Sequence, residues 1–317
     1  MRADLRKMCF CLLIVLGAAC GDGSDPESAV DDATGDQTDL ASAPETPTDG
    51  IIVSGFAAPE SALHDTASDV YLVSNINGGG LDADDNGFIS RVAPDGTVLD
   101  LKWIDGALDA VTLNAPKGMA LLGDTLIVAD IDVVRLFDRR SGNPLGGWGV
   151  EGATFLNDVA VAPGGTVYVS DTGVRFGDSG FEDSGTAAIH VFQPDGSHST
   201  LEAGELSRIN GLAVRDRRLY GVTYGTGVIF SVLGGTREDL PELPGMSLDG
   251  VIALEGGNLL VSDWDTQTVY LLRPNGSASA VAKNVESPAD IGIDRRRNRV
   301  LIPGLMTNQV LLAPLPG

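Results

Sequence analysis

The stretch Asn210-Gly-Leu-Ala-Val begins a repeat that runs through most of this chain. Related versions stand at Lys117-Gly-Met-Ala-Leu, Asn157-Asp-Val-Ala-Val and Asp249-Gly-Val-Ile-Ala. In each version a polar residue precedes a short apolar run, and a second apolar run follows after a turn. Intervals of 40 residues from 117 to 157 and 39 residues from 210 to 249 separate successive copies. A period of about 40 residues built from strands is typical of β-propeller blades.

One repeat contains the strands of a complete blade. Asp249–Leu254 and Leu259–Trp264 are apolar runs separated by a glycine-rich turn, and Thr266–Arg273 alternates as a third strand. Pro274-Asn275-Gly276 then forms the turn into a weaker fourth strand, and related turns recur at Pro94-Asp95-Gly96 and Pro194-Asp195-Gly196. The sequence therefore predicts an all-β fold, a six-bladed β-propeller over residues 51–317.

The last repeat lacks one strand, because the chain ends soon after the run from Asn308 to Pro314. An unassigned apolar segment, Ile51–Phe56, precedes the first repeat. We expect this N-terminal strand to complete the last blade and close the ring, which removes the free sheet edge that invites aggregation.

The first residues predict export. Residues 1–19 combine a basic start, an apolar stretch and small residues, as in a signal peptide, and Leu16-Gly-Ala-Ala-Cys20 resembles a bacterial lipobox. We expect Cys20 to be lipidated, which would make the protein an exported bacterial lipoprotein, membrane-anchored at the periplasmic or cell-surface side. An ordinary secretory signal is the alternative. Residues 20–50 hold nine Asp or Glu and no Lys or Arg, and this composition predicts a disordered acidic tether.

Charge and cysteine usage exclude several classes of function. All three cysteines lie within the first 20 residues, so the propeller has no disulfide and no thiol chemistry. The net charge is −23, of which about −16 falls on residues 51–317. Nucleic acid and anionic membranes require basic surfaces, so we expect no nucleic-acid partner and contact with the bilayer through the N-terminal lipid only. A monomer is expected.

Six polar residues, here named the mouth ring, are expected to surround one end of the central channel. Each begins the innermost strand of its blade, and innermost strands line the channel of a propeller. The mouth ring consists of Glu60, Lys117, Asn157, Asn210, Asp249 and Asp290. The residue type at this position varies from blade to blade, which favours a function over a repeated structural role. Two long segments, 76–88 and 173–186, follow second strands and should therefore border the same mouth.

Carboxylates also end several second strands, at Asp130, Asp171 and Asp263. We expect these three to hydrogen-bond local backbone, as Asp side chains do near turns. The mouth ring, by contrast, brings carboxylate and amide oxygens together with no His or Cys. Such oxygen donors select Ca²⁺, Mg²⁺ or Mn²⁺, and Zn²⁺ also accepts carboxylates.

These elements resemble the gluconolactonase / senescence-marker-protein (regucalcin) family of six-bladed propellers, from about Pro59 to Leu305. In that family a Glu of the first inner strand, an Asn in Asn-Gly-Leu and an Asp in Asp-Gly hold the metal. The matching elements here are Pro59-Glu60-Ser61, Asn210-Gly211-Leu212 and Asp249-Gly250. The resemblance implies one divalent metal ion, most simply Ca²⁺, held by Glu60, Asn210 and Asp249.

Two further positions bear on the substrate. A family Asn-Asp pair that faces substrate or a metal-bound water matches Asn157-Asp158. The family often has an Arg two residues earlier, where this chain has Phe155, so the sequence departs from the pattern that grips a sugar lactone. Lys117 either supplies the missing positive charge to a substrate or neutralises the acidic ring.

The sequence thus predicts a divalent-metal-dependent hydrolase of lactones or related esters, with a small-molecule substrate. Asp249, or a metal-bound water oriented by Asn157, would supply the base, and Lys117 would hold a negative group or developing charge. The alternative is a non-catalytic surface-tethered propeller, like the NHL-type repeats, that binds a ligand or protein. Propellers support both roles, so the fold does not decide between them.

Overall fold

A computed structural model describes residues 50–178 and 180–316 of the 317-residue chain. The signal peptide (1–19), Cys20 and nearly all of the acidic tether (20–50) lie outside these described residues, so the predictions for them remain predictions. No helix within the described ranges is both long and apolar enough to cross a membrane.

Six four-stranded antiparallel sheets form the six blades of a β-propeller. The first strand of the chain is β1 (Ile51–Ser54). Blade one consists of β2 (Pro59–Asp65), β3 (Val70–Asn75), β4 (Phe88–Val92) and β5 (Val98–Asp105). Blade two consists of β6 (Pro116–Leu122), β7 (Thr125–Asp130), β8 (Val133–Asp138) and β9 (Pro144–Gly149). Blade three contains β10 (Leu156–Val161), β11 (Val167–Asp171), β14 (Ala188–Phe192) and β15 (His198–Thr200), with an inserted hairpin of β12 (Val174–Gly177) and β13 (Gly180–Asp183).

The second half of the chain repeats the same plan. Blade four consists of β16 (Ile209–Arg215), β17 (Arg218–Thr223), β18 (Ile229–Leu233) and β19 (Thr236–Asp239). Blade five consists of β20 (Leu248–Ala253), β21 (Leu259–Asp263), β22 (Thr268–Leu272) and β23 (Ala278–Ala282), with a single 3-10 turn at Glu255–Gly257. Blade six consists of β24 (Gly292–Asp294), β25 (Arg299–Gly304), β26 (Gln309–Pro314) and β1. The predicted all-β six-bladed propeller is confirmed.

The N-terminal strand closes the ring, as predicted. β1 pairs antiparallel with β26, with Val53 opposite Val310, and becomes the outer strand of blade six. Val53 and Phe56 are buried among residues of blades one and six. Because the last sheet contains both ends of the propeller, opening the ring would require breaking this sheet and its core.

The core is divided into six hydrophobic clusters, one at each interface between neighbouring blades. The strands β3, β7 and β21 are buried along their length because each has a neighbouring blade on both faces. This explains why they read as continuous apolar runs rather than as alternating patterns.

The outer hairpins end in the turns that the sequence predicts. Gly96 and Gly196 have φ of 91° and 85°, a conformation that glycine adopts without steric cost. Asp95 and Asp195 accept a hydrogen bond from the backbone N–H two residues later, at 2.9 Å in both turns. The repeated Pro-Asp-Gly therefore fixes the turn by backbone conformation and by a side-chain contact together.

Candidate active site

Five of the six mouth-ring residues lie at β-bulges. The pairing of the first two strands shifts register immediately after the first residue of β2, β6, β10, β16 and β20. The shifts enclose Glu60, Lys117, Asn157, Asn210 and Asp249, respectively. A bulge re-aims a side chain relative to the regular pleat, and all five residues line a single cavity of about 300 Å³. The structure therefore brings these five side chains together at one cavity.

Gly211 and Gly250 follow two of the bulged residues and lie close to the next blade. A Cβ at Gly211 would collide with the carbonyl oxygen of Asp249, and a Cβ at Gly250 would collide with the backbone of Asp290 and Ile291. The glycine of each Asn-Gly or Asp-Gly element thus allows the next blade to approach the channel closely. In each element the first residue supplies the polar side chain, and the glycine leaves room for the backbone of the next blade.

The five mouth-ring residues that line the cavity are here named the floor, and they include two carboxylate oxygens without a hydrogen-bond partner among the described residues. Glu60 Oε2 and Asp249 Oδ1 are both buried and unpaired among the described residues. Asp249 Oδ2 accepts a hydrogen bond from Trp264 Nε1 at 2.9 Å, which fixes the direction of this carboxyl. Buried polar atoms without partners are costly, so this pair indicates a position where a cation or a proton belongs.

The charges of the floor agree with that interpretation. Burial raises the pKa of Asp249 to about 8, with a further contribution from the nearby Asp290. Burial also raises the pKa of Glu60 well above its ordinary value, and the carboxylate of Asp249 adds to the increase. Converging carboxyls in a low-dielectric site resist ionisation unless a positive charge compensates them.

Asp290 does not line the cavity, in contrast to the prediction that six residues form one ring. Its backbone N–H donates to Glu60 O, and its carboxylate accepts from Ser61 Oγ. Asp158 is also buried and accepts hydrogen bonds at 2.6 Å from the backbone N–H groups of Val159 and Leu212. Burial raises the pKa of Asp290 to about 7. These two carboxyls accept hydrogen bonds from neighbouring strands and do not reach the cavity.

Lys117 is the buried cation of the floor. Its side chain is fully enclosed, with Nζ donating to Ala115 O at 3.0 Å and lying 4.3 Å from the centre of the Phe155 ring. Burial lowers the pKa of Lys117 to about 8, although Glu60 opposes that shift. Phe155 therefore stabilises the ammonium by a cation–π contact, and it forms a wall of the cavity.

The orientation of Asn157 follows from its neighbour. Thr172 Oγ1 donates its one hydrogen to Ile209 O at 2.7 Å, so it accepts from Asn157 Nδ2 at 2.9 Å. The NH₂ group of Asn157 is thereby fixed against the wall, and its carbonyl oxygen is left for a ligand. Asn210 also lines the cavity, and its side-chain amide opposes the rise in the pKa of the Asp249 carboxyl.

Two serines that connect neighbouring blades, Ser170 and Ser262, were not predicted from the sequence. Ser170 Oγ accepts from Asp158 N and donates to Asn210 O, while Ser262 Oγ accepts from Gly250 N and donates to Ala289 O. The repeated Ser-Asp pair at the end of second strands was the available signal. Each serine thus accepts a hydrogen bond from a backbone N–H of the bulged inner strand and donates one to the next blade.

The carboxylates that end second strands cap local loops, as expected. Asp130 accepts from the backbone N–H groups of Asn114 and Ala115, and Asp171 accepts from those of Thr154 and Phe155. Asp263 accepts from Thr266 Oγ1 at 2.6 Å. The contacts of Asp130 and Asp171 hold the segments that lead into Lys117 and Asn157, whereas the contact of Asp263 lies in the turn after its own strand.

Two long segments border the mouth, as predicted. The first contributes Ile76, Gly78 and Gly80 to the cavity wall. The second was expected to be a loop, but it contains the hairpin of β12 and β13, in which Phe176 stacks on Phe181 at a centroid distance of 4.6 Å. Arg208 Nε lies 2.6 Å from Asp183 Oδ1 and ties this hairpin to the entry of blade four.

Fold and site together define a six-bladed β-propeller with a buried carboxylate–amide cluster at one mouth of its channel. Solved structures with the same fold include a gluconolactonase from Xanthomonas campestris, with a TM-score of 0.64 and 18% identity over 84% of this chain and 90% of that one. A structural-genomics target with a provisional gluconolactonase name has a TM-score of 0.60 and 15% identity, covering 86% and 96% of the chains. A chain of a nidogen/laminin complex has a TM-score of 0.54 and 19% identity, covering 69% and 78%.

At sequence identities of 18%, 15% and 19%, the similarity to these structures shows the fold alone. No protein-family model and no curated protein matches the sequence. Among the described residues, no group of three or more His, Cys, Asp or Glu side chains is arranged to hold a metal ion. A cation at the floor would therefore require the amide oxygen of Asn210 beside the two carboxylates.

Proposed function

We propose that this protein is a hydrolase of lactones or related esters that depends on a divalent cation held by Glu60, Asn210 and Asp249. One observation carries the proposal: Glu60 and Asp249 both line the cavity, and each has a buried carboxylate oxygen, Oε2 and Oδ1 respectively, without a hydrogen-bond partner among the described residues. The gluconolactonase-like fold of the similar structures agrees with this choice of chemistry.

The donor set fits a hard cation. Two carboxylates and one amide offer oxygen only, which favours Ca²⁺, while Mg²⁺, Mn²⁺ and Zn²⁺ remain candidates for the experiment. The raised pKa values of Glu60 and Asp249 express the cost of two buried negative charges. A divalent cation would offset that cost and keep both groups ionised.

When bound, the cation would polarise the substrate carbonyl and stabilise negative charge on its oxygen. Asp249, fixed by Trp264, would accept a proton from the attacking water, and Asn157 would orient that water or the substrate through its free carbonyl oxygen. Water oxygen adds to the carbonyl carbon, the bond to the ring or ester oxygen breaks, and the proton passes to that oxygen. Lys117 would hold a negative substrate group or neutralise the floor.

A chelation experiment on a panel of lactones and aryl esters tests this function. We expect hydrolysis by the purified protein to disappear after removal of divalent ions and to return when one of the four candidate cations is restored. Asn157→Ala should lower kcat while the cation stays bound, because its role is orientation. Binding of a lactone without turnover in the presence of every cation would support the alternative, a ligand-binding propeller.

Lys117→Ala separates the two roles of that residue. If Lys117 contacts the substrate, KM for substrates with a negative group should rise while cation affinity is retained. If it only neutralises the floor, the variant should change the melting temperature without changing KM. If Lys117→Ala changes neither KM nor the melting temperature, Lys117 has no role in the site.

We also propose that the chain is an exported bacterial lipoprotein, based on the lipobox-like segment that ends at Cys20. Two signals or more are needed for stable attachment, since one acyl chain gives only marginal binding. Cys20→Ser should release the protein from the membrane fraction or block its processing. A variant that remains lipid-labelled would contradict the proposal.

A further inference from the structure

The cavity above the floor has a different chemical character from the floor itself. The floor consists of charged and amide side chains, whereas the walls are formed by apolar side chains from several blades. The apolar wall comprises Ile76, Phe155, Val174, Phe181, Leu305 and Met306. A substrate held by its carbonyl at the floor would therefore place the remainder of its structure against hydrocarbon.

Three of the four polar side chains in the walls are already engaged, and Tyr224 is the fourth. Trp264 Nε1 donates to Asp249, Thr172 Oγ1 bonds Asn157 and Ile209 O, and Arg208 Nε pairs with Asp183 at 2.6 Å. Hydroxyl groups placed here would lose their hydrogen bonds to water and find few replacements. Burial of polar groups without partners opposes binding, whereas burial of apolar surface favours it.

The apolar wall is also fixed in position. Phe181 contacts Phe155 edge to face at a centroid distance of 5.8 Å and stacks on Phe176. Ser184 N donates to Gly173 O, which closes the base of the hairpin, and the Arg208–Asp183 pair fastens its far strand. The hairpin of β12 and β13 therefore presents Phe181 to the cavity as a preformed surface.

From these observations we propose that the site selects lactones and esters that carry an aliphatic or aryl group, and discriminates against polyhydroxylated lactones. This rests on the proposed hydrolase function and names its substrate class. The volume of about 300 Å³ suits a small molecule, with the carbonyl at the cation proposed between Glu60, Asn210 and Asp249. The side group would then lie between Phe155, Phe181 and Met306.

A homologous series of δ-lactones tests the proposal by activity. We expect kcat/KM to rise about fourfold for each methylene added from δ-hexalactone to δ-nonalactone, which follows from burial of one CH₂. Glucono-δ-lactone should be hydrolysed more slowly than every alkyl member. Equal or faster hydrolysis of glucono-δ-lactone, with no rise along the series, would overturn the proposal.

Two variants test whether the apolar wall is the source of the preference for alkyl groups. Phe181→Ser and Met306→Ser should each reduce the ratio of kcat/KM for δ-nonalactone over δ-hexalactone by roughly threefold or more, because each removes apolar surface. Met246→Ser is the matched control: Met246 is also exposed, at 54% against 66% for Met306, but it does not line the cavity. An unchanged ratio in both wall variants, or an equal change in the control, would place the preference elsewhere.

Binding of lactams distinguishes failure of this inference from failure of the proposed function. The lactam analogues resist hydrolysis, so titration calorimetry with the butyl-substituted δ-lactam and with gluconolactam reports affinity alone. Tighter binding of the butyl lactam supports the apolar preference even if no lactone is turned over, an outcome that would sink only the hydrolase. Tighter binding of gluconolactam would overturn the apolar preference whatever the activity.

Discussion

At the scale of the residue, the candidate site depends on bulges that turn five polar side chains into one cavity. The identities of Glu60, Lys117 and Asn157 were readable from the repeat, and so was their position at the start of inner strands. The register shifts were not readable, because a bulge arises from contacts with the next blade rather than from local sequence. The repeat also predicted Asp290 in the ring, but its contacts with Glu60 and Ser61 of blade one keep it out of the cavity lining.

The contact between Trp264 and Asp249 was also beyond sequence reading. Fifteen residues separate the two side chains, and only the pairing of β20 with β21 brings them together. Because Trp264 engages Oδ2 of Asp249, Oδ1 is the oxygen that is available for chemistry, and it has no partner in the part of the chain that the structure describes.

Asp249→Asn should reduce turnover by about 10²–10⁴-fold, since the variant removes the candidate base and one ligand charge. Affinity for the cation should fall as well, which titration calorimetry measures. Asp195→Asn, at an exposed hairpin turn, is the control and should change neither. The assignment of Asp249 fails if Asp249→Asn retains both wild-type turnover and wild-type cation affinity.

The buried carboxyls predict how stability depends on pH in chelated protein. The pKa values of Asp249 and Asp290 are about 8 and about 7 in the folded state, and roughly 3.9 when unfolded. Between these limits the folded state binds more protons than the unfolded state, so the free energy of unfolding falls as pH rises from about 4 to about 8. Above that range the two contributions no longer change.

Scanning calorimetry at roughly pH 5 and pH 8, with and without Ca²⁺, checks this dependence. Chelated protein should melt at a lower temperature at the higher pH, and Ca²⁺ should raise the melting temperature more at the higher pH. Asp290→Asn should show a weaker dependence, because one of the buried carboxyls with a raised pKa is gone. A melting temperature that rises with pH in chelated protein would contradict the account.

At the scale of the element, strands and turns followed from sequence patterns, and one hairpin did not. The closing role of β1 was predictable because an unassigned apolar segment precedes the first repeat and the last repeat lacks one strand. β12 and β13 are four residues each and include charged residues and glycines, so they are too short for a period to appear. Their pairing is supported by Phe176 on Phe181 and by the Arg208–Asp183 pair.

Two neighbouring positions of β1 test the closure. Val53→Thr should lower the free energy of unfolding by about 1–3 kcal/mol, because it buries a hydroxyl in an apolar cluster without changing shape. Ile52→Thr, at a position that is 62% exposed, should change it by no more than about 0.5 kcal/mol. Denaturant unfolding measures both. Equal effects would mean that β1 does not pack against the seam.

At the scale of the whole molecule, a second contact strengthens the seam between blades one and six. Asp294 is buried and accepts hydrogen bonds from Tyr71 Oη at 2.7 Å and from Arg297 at 2.9 Å. His64 Nδ1 lies 3.4 Å from the same carboxylate. Arg297 also pairs with Asp69 of blade one. This cluster involves distant parts of the chain, so no sequence pattern indicates it.

Asp294→Ala should destabilise the propeller by about 1–3 kcal/mol, because it leaves the buried Tyr71 hydroxyl without its acceptor. Asp69→Ala should have a smaller effect, since Asp69 is partly exposed and water can replace it. Thermal unfolding of both variants, compared with the wild-type protein, gives the order. The reverse order would show that the seam is not stabilised by Asp294.

The central claim is that the mouth of this propeller binds a divalent cation through Glu60, Asn210 and Asp249. Anomalous diffraction from crystals soaked in Mn²⁺ tests it most directly. The account predicts one strong anomalous peak at about 2.0–2.6 Å from Glu60 Oε2, Asn210 Oδ1 and Asp249 Oδ1. Ordered side chains at these three positions with no peak between them, while Mn²⁺ binds elsewhere on the protein, would contradict the account.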